Sequence, residues 1–413
     1  MKIGILTYHC VTNFGAQLQT LSTIGYMKKH GHEPVVLNWF PQDLEDFYLN
    51  SHPKEQFDEQ FRFAMEQMPI SRLCRTLDEL CNEIDQLGLD AIFLGSDALF
   101  DYFPIATRYA FNYHKLKRVP KGLEITCNHD LPNPFWGCFA DHIKKKIPFC
   151  GFSISSQNMP YFKLNRDEKK EMKRLLNRFA KITVRDEWTG KMVKNVSGRN
   201  DVIVTPDPVF AFNYNTNYII KKEDLLLKYN LPENYVLVSF CQNVLPDGYV
   251  NDIIDKVELE TGFECVSFPM PRMLKKYNTK KSIGLPLDTL DWYYLIKYSQ
   301  GYIGELMHPI IVSLHNSVPF FCFDQYGTYK TVIPRVWKRF LPESSKVFDI
   351  LKKAGFLDNM CPYAWVHRTS SNDVVRSLLE FDKDKCGAFA EAQYMHYAKG
   401  MDMVLSSLMA ETE

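Results

Sequence analysis

Chemistry first becomes legible at Glu305 and His308, three residues apart in the stretch GELMHP. They follow a short apolar run that reads as a buried strand, and the carboxyl end of a strand is where open α/β sheets bind ligands. Pro309 suits the first position of a helix, because its missing N–H would have had no partner there and its φ is already helical. His308 is then expected beside a helix N-terminus, whose free N–H groups attract an anion. A histidine so placed can hold or release a proton near neutrality; the plainer reading is one that caps or packs. His315, further along the same apolar helix, reads as a packing residue. The elements that must position the pair are also visible. Trp292, Tyr293, Leu295 and Ile296 recur at helical spacing before it, Ile310, Ile311 and Leu314 after it, and VPFFCF is another buried strand. The order is helix, strand, helix, strand.

The same alternation runs through the chain. KIGIL, the turn-rich TYHCVTNFGA, AQLQTLSTIGYMKKH and PVVLNWF make a strand, loop, helix and strand of the kind that builds a parallel sheet. Residues 41 to about 70 are polar, aromatic and weakly periodic, and read as an insertion. TLDELCNEIDQL is helical, with Thr76 and Glu79 spaced as a capping box, and DAIFLGSD is a strand ending in a turn. Residues 101–147 read as loops and short elements. IPFCGFSIS, KITVRD and DVIVTPDPVF are expected strands, with NRDEKKEMKRLLNRFA and EWTGKMVKNV as helices between them. YVLVSFC, VNDIIDKVELETG and ECVSFPM then repeat the pattern, and SSKVFDILKKAG and a helical stretch from about Asn372 close the chain.

At 413 residues the chain exceeds what one core serves, so two domains of about 200 residues each are expected. Asp207-Pro208 and the polar tract after it mark the boundary, which gives Rossmann-like domains over 1–208 and 209–390 and a helical tail over 391–413. Lys plus Arg and Asp plus Glu both number 49, so the chain lacks the basic excess of a nucleic-acid binder. KLKR at 115–118 and KKK at 144–146 read as solvated faces, with a membrane surface or anionic acceptor as the other reading. The cysteines are scattered without a C-x-x-C, and Cys150, Cys241 and Cys322 lie in apolar runs, so neither a disulfide framework nor a zinc site is indicated. No run reaches the ~18 apolar residues of a membrane span, and the N-terminus lacks a signal-peptide pattern, so a soluble protein of a reducing compartment is expected. No G-x-G-x-x-G or Walker loop follows a strand.

Taken in order, Asn13-Phe14-Gly15-Ala16 with Leu18-Gln19, Gly95-Ser96-Asp97, Thr183-Val184-Arg185-Asp186, Asp207-Pro208 and LIKYSQGYIGELMH give a sequence that resembles the polysaccharide pyruvyl transferase family from residue 2 to about 330. The resemblance implies a glycosyltransferase-B-like pair of Rossmann-like domains facing a cleft, the first holding acceptor and the second donor. It implies transfer of pyruvate from phosphoenolpyruvate onto two sugar hydroxyls as a ketal, in cell-surface polysaccharide assembly, without metal or other cofactor. The partners it implies are that donor and a glycan, carried on lipid at the cytoplasmic membrane face. Arg185 and His308 match the family's donor-binding Arg and His. The chain departs from the family's pattern at Ala98, Leu99, Phe100, Leu306 and Pro309. A nucleotide-sugar glycosyltransferase and a non-catalytic member share the architecture.

Within that chemistry, His308 is the candidate acid for the enol carbon. Arg185 offers a planar fork for carboxylate or phosphate, its other reading being a surface pair with Asp186 or Glu187. Asp97 is the candidate acceptor of a sugar hydroxyl proton, or a helix cap. Glu305 would orient His308 or touch sugar, and Asn13 and Gln17 are candidate acceptor contacts.

Overall fold

Apolar runs of four to seven residues become the central strands, and the periodic segments between them become helices covering both faces. The computed structural model describes residues 1–112, 117–122, 125–240, 245–330 and 338–412. β1 (Lys2–Leu6), β2 (Glu33–Val36) and β3 (Ala91–Asp97) precede a short hairpin of β4 (Tyr109–Asn112) and β5 (Lys117–Pro120). β6 (Phe149–Ile154), β7 (Lys181–Val184) and β8 (Ile203–Val204) complete the first half. Apart from the hairpin these form one parallel sheet in the order β2-β1-β3-β6-β7-β8. Isolated parallel bridges from Val36 to Ile70 and Trp39 to Cys74 prolong its edge beyond β2.

The second sheet uses β9 (Tyr235–Ser239), β10 (Glu264–Ser267), β11 (Lys281–Ser282), β12 (Gly301–Gly304) and β13 (Phe320–Asp324). A second hairpin, β14 (Thr328–Lys330) and β15 (Lys338–Phe340), follows, and β16 (Met360–Pro362) is the last strand. Its parallel order, β11-β10-β9-β12-β13-β16, is that of a doubly wound nucleotide-binding fold. β3, β6, β9 and β13 are buried along their whole length because helices cover both faces. The expected capping box forms, with Thr76 and Glu79 closing the helix Leu77–Leu87 and Gly88 ending it at φ 61°.

Three expectations change. Residues 41–70, read as a weakly periodic insertion, form two helices, Gln42–Ser51 and Lys54–Gln67, each entered through a proline. Their periodicity was masked because Gln56 and Gln60 occupy buried positions beside Phe57, Phe63 and Ala64. Gln56 exchanges two hydrogen bonds with the Leu287 backbone, at 2.7 and 3.0 Å, and so ties this helix to the second half. DVIVTPDPVF yields only the two residues of β8 and then a 3-10 turn at Pro208–Ala211, since Pro206 and Pro208 cannot donate to a ladder. The terminal helix runs Lys383–Thr412, starting before the expected residue 391. It lies over both halves: Tyr397 meets Phe152 edge-on at 5.5 Å, and the Cys386 thiol donates to the Leu314 carbonyl at 3.2 Å.

Among the described residues no helix is long and apolar enough to cross a membrane. Lys144, Lys145 and Lys146 are exposed, and Cys150 and Cys322 are buried. Cys241 and the Lys115-Leu116 part of the first basic run lie outside the described residues.

Candidate active site

The carboxyl ends of both sheets face one cleft of about 400 Å³. Asp97 reaches it from the end of β3, Arg185 from just beyond β7, and Leu306, Met307 and His308 from the turn after β12. Two of these turns hold non-glycine residues at positive φ, Asp97 at 89° and Leu306 at 70°. Strain of that kind persists only where surrounding packing enforces it, commonly at sites of function.

The helix after β12 begins at Met307, so Pro309 is its third residue, not its first, and His308 lies within the opening turn. The proline is tolerated because the first four N–H groups of a helix have no intrahelical partner. Leu306 stands at the cap and supplies no capping hydrogen bond, so the helix start has no side-chain cap where Met307 and His308 line the cleft.

His308 and Arg185 converge on Asp207. The guanidinium Nη1 donates to Asp207 Oδ2 at 2.9 Å, and His308 Nε2 lies 3.7 Å from the same oxygen. Gln19 donates to that oxygen at 2.6 Å and stands 3.2 Å from His308 Nε2. The imidazole nitrogen thus faces an amide that suits it bare and a carboxylate that suits it protonated. Burial alone would raise Asp207, but the neighbouring His308 imidazole and the Arg185 charge outweigh it and hold the carboxyl well below its ordinary range. Arg185 is buried, and the Asp207 and Asp97 charges overcome that burial to keep it firmly cationic. Its Nη2 lies 3.8 Å from Asp97 Oδ1, and among the described residues its Nε has no partner. The surface pairing with Asp186 or Glu187 is therefore not its role.

Asp97 also accepts from the Ala98 amide at 2.7 Å, a local cap at the mouth of the cleft. Asn13 caps the helix Phe14–Lys29 through Oδ1, accepting from Gly15 and Ala16 at 3.0 and 3.4 Å, and lines the cleft. Two candidates are displaced. Gln17 is wholly buried, donating to the Gln60 carbonyl at 2.6 Å and accepting from the Thr289 hydroxyl, so it joins the two halves and is not among the described residues lining the cleft. Glu305 is likewise buried, accepts from the Tyr363 hydroxyl just beyond β16, and is not among the described residues that line the cleft. His315 is a packing residue, as expected: its Nε2 accepts from the Asn213 amide at 3.3 Å, and burial pushes it down to about 3.

Sequence reasoning missed Lys346, Arg272 and the direct part of Asp207. Lys346 opens the helix Lys346–Ala354, where the helix dipole disfavours a cation. Burial first, then the Arg185 charge, pushes it down to about 8, and its ammonium donates to Gln157 at 3.2 Å. A basic residue directly after a serine N-cap was a readable signal. Arg272 follows β10 in FPMPRM, the same strand-end position that exposed His308. Across the cleft mouth, burial and the Arg272 charge push His52 down to about 4.

Two parallel-sheet α/β domains with a cleft at their strand ends define a glycosyltransferase-B-like protein. Solved structures of that class share the fold. A UDP-N-acetylglucosamine 2-epimerase from Rickettsia bellii superposes with TM-score 0.51 at 10% identity, over 99% of this chain and 96% of that one. A UGT from Arabidopsis thaliana complexed with UDP gives 0.51 at 10% identity, over 98% and 99%. MnaA of S. aureus with UDP gives 0.50 at 12%, over 98% and 95%. No curated protein matches the sequence. The family model for polysaccharide pyruvyl transferase matches residues 13–325, and the chain belongs to that family.

Proposed function

We propose that the protein transfers the pyruvyl group of phosphoenolpyruvate onto two hydroxyls of a glycan as a cyclic ketal. The glycan would be a cell-surface polysaccharide precursor, carried on lipid at the cytoplasmic membrane face. The observation that carries the reading is the convergence of His308 and Arg185 on Asp207, with Lys346 and Arg272 on the same cleft. Among the described residues lining that cleft, Asp97 is the one carboxylate set against Arg185, Lys346 and Arg272, which favours a small ligand bearing both carboxylate and phosphate.

The chemistry follows from these positions. His308 gives a proton to the methylene carbon, which becomes a methyl and leaves the central carbon electron-poor. One sugar hydroxyl adds there, and the second displaces phosphate. Of the two hydroxyl protons, one restores His308 and one leaves with phosphate, so atoms and charge balance. Asp97 accepts the attacking hydroxyl; Arg185, Lys346 and the uncapped helix start hold the donor's anionic groups.

Turnover in heavy water is the test: product analysed by mass spectrometry should carry one deuterium in the new methyl. A sugar lacking the added three-carbon unit would overturn the reading. In thermal-shift titrations phosphoenolpyruvate should stabilise, by about 2.7 kcal/mol at roughly 100 times its dissociation constant, and nucleotide sugars should not. The reverse ranking would mark a glycosyltransferase, and no donor response a non-catalytic member.

A further inference from the structure

We propose that a second cavity of about 210 Å³, opening off the cleft in the first domain, seats a sugar ring of the acceptor. The proposal rests on the pyruvyl-transfer reading and adds where the acceptor lies. Asn13, Tyr48, Asp97 and Gln157 line both cavities, so a ring in the side pocket presents its hydroxyls at Asp97, next to the cationic wall.

The side pocket is the chemical inverse of the cleft. Among the described residues its lining contains two carboxylates, Asp97 and Asp101, and three aromatic side chains, Tyr8, Phe47 and Tyr48, and no Lys or Arg. That lining repels a phosphate or carboxylate ligand and suits a neutral polyol, whose C–H faces lie on rings and whose hydroxyls donate to carboxylates.

Its floor holds a donor and an acceptor that do not satisfy each other. The Thr126 backbone amide, which can only donate, meets His129 Nδ1 at 3.1 Å, so that nitrogen is bare and the neutral ring carries its proton on Nε2. His129 Nε2 then stands 3.9 Å from Asp101 Oδ2, beyond hydrogen-bond reach. A hydroxyl between them can accept from His129 and donate to Asp101; a fully ionised phosphate oxygen cannot donate at all. Burial raises the Asp101 carboxyl to about 7, against the pull of Lys346 and the Tyr102 amide, and a bound hydroxyl would repay part of that desolvation.

The full chain is titrated with a panel of methyl hexopyranosides by saturation-transfer NMR, alone and with phosphoenolpyruvate. At least one glycoside should bind saturably, and Asp101→Asn and His129→Ala should each weaken it about tenfold, the loss expected when a buried polar group is left without its partner. The thermal shift given by phosphoenolpyruvate should be unchanged in both variants. Absence of binding by every glycoside, or binding retained in both variants, overturns the proposal. Glycoside binding that is lost in the variants while phosphoenolpyruvate gives no shift in the parent would leave the subsite standing and remove the donor reading. Should either variant misfold by circular dichroism, crystals of the parent soaked with the tightest glycoside decide: density at Asp101 and His129 supports the subsite, and density elsewhere or none overturns it.

Discussion

A Cβ on Gly15 would stand 2.1 Å from Cγ and Nδ1 of His308. The opening turn of the first domain's helix and the imidazole from the second domain therefore meet with no room for a methyl group. That contact gives the Asn13-Phe14-Gly15 stretch a physical reason: Asn13 caps the helix, Phe14 stacks on Trp292 at 5.0 Å, and Gly15 leaves space for the ring.

Gly15→Ala should thus displace His308 without unfolding the helix, since alanine is the better helix former by about 1 kcal/mol. The expected result is a fall in kcat of about 100-fold or more at unchanged helicity, measured by steady-state kinetics and circular dichroism. Unchanged kcat would mean that the ring can shift without consequence.

His308→Ala should lower kcat by about 100 to 10,000-fold and leave the fold intact. His315→Ala should instead destabilise the protein, by roughly 1–3 kcal/mol in urea titration, because it empties a buried site. Equal, modest activity losses in the two variants would reduce His308 to a packing residue.

Arg185 and Asp207 separate binding from stability. Arg185→Lys keeps a charge but loses the fork, so the donor KM should rise about tenfold, with a smaller change in stability. Asp207→Asn removes the buried partner of a guanidinium and should cost about 3–5 kcal/mol by chemical denaturation. An unchanged donor KM in Arg185→Lys would take Arg185 out of the donor site.

Lys346 sets a pH window. It titrates at about 8 in the fold and at about 10.4 in an unfolded chain. Between those values the unfolded chain binds more protons, so stability rises with pH across the window and is lost as pH falls towards 8. Donor affinity should move the other way, weakening above pH 8 as the ammonium loses its charge. Melting temperature and donor dissociation constant measured from pH 7 to 10.5 check both trends, and Lys346→Met should flatten each. A flat donor profile in the parent protein would show that Lys346 does not hold the anion.

The alternation of strands and helices, the capping box at Thr76 and Glu79, and the placing of His308, Arg185 and Asp97 at strand ends were all legible in the sequence. Periodicity, turn chemistry and capping act over a few residues, so the chain carries them locally. Which polar groups meet was decided only by tertiary structure. Gln17 and Gln19 are two positions apart in one motif, yet about 200° apart around their helix. Packing of that helix against the second domain sends Gln17 into the core and Gln19 to Asp207 and His308, the latter 289 positions away. Glu305 and His308 diverge because Leu306, held at φ 70°, turns the chain between them. The partners of a buried charge are set by how two sheets face each other, and no short stretch of sequence encodes that relation.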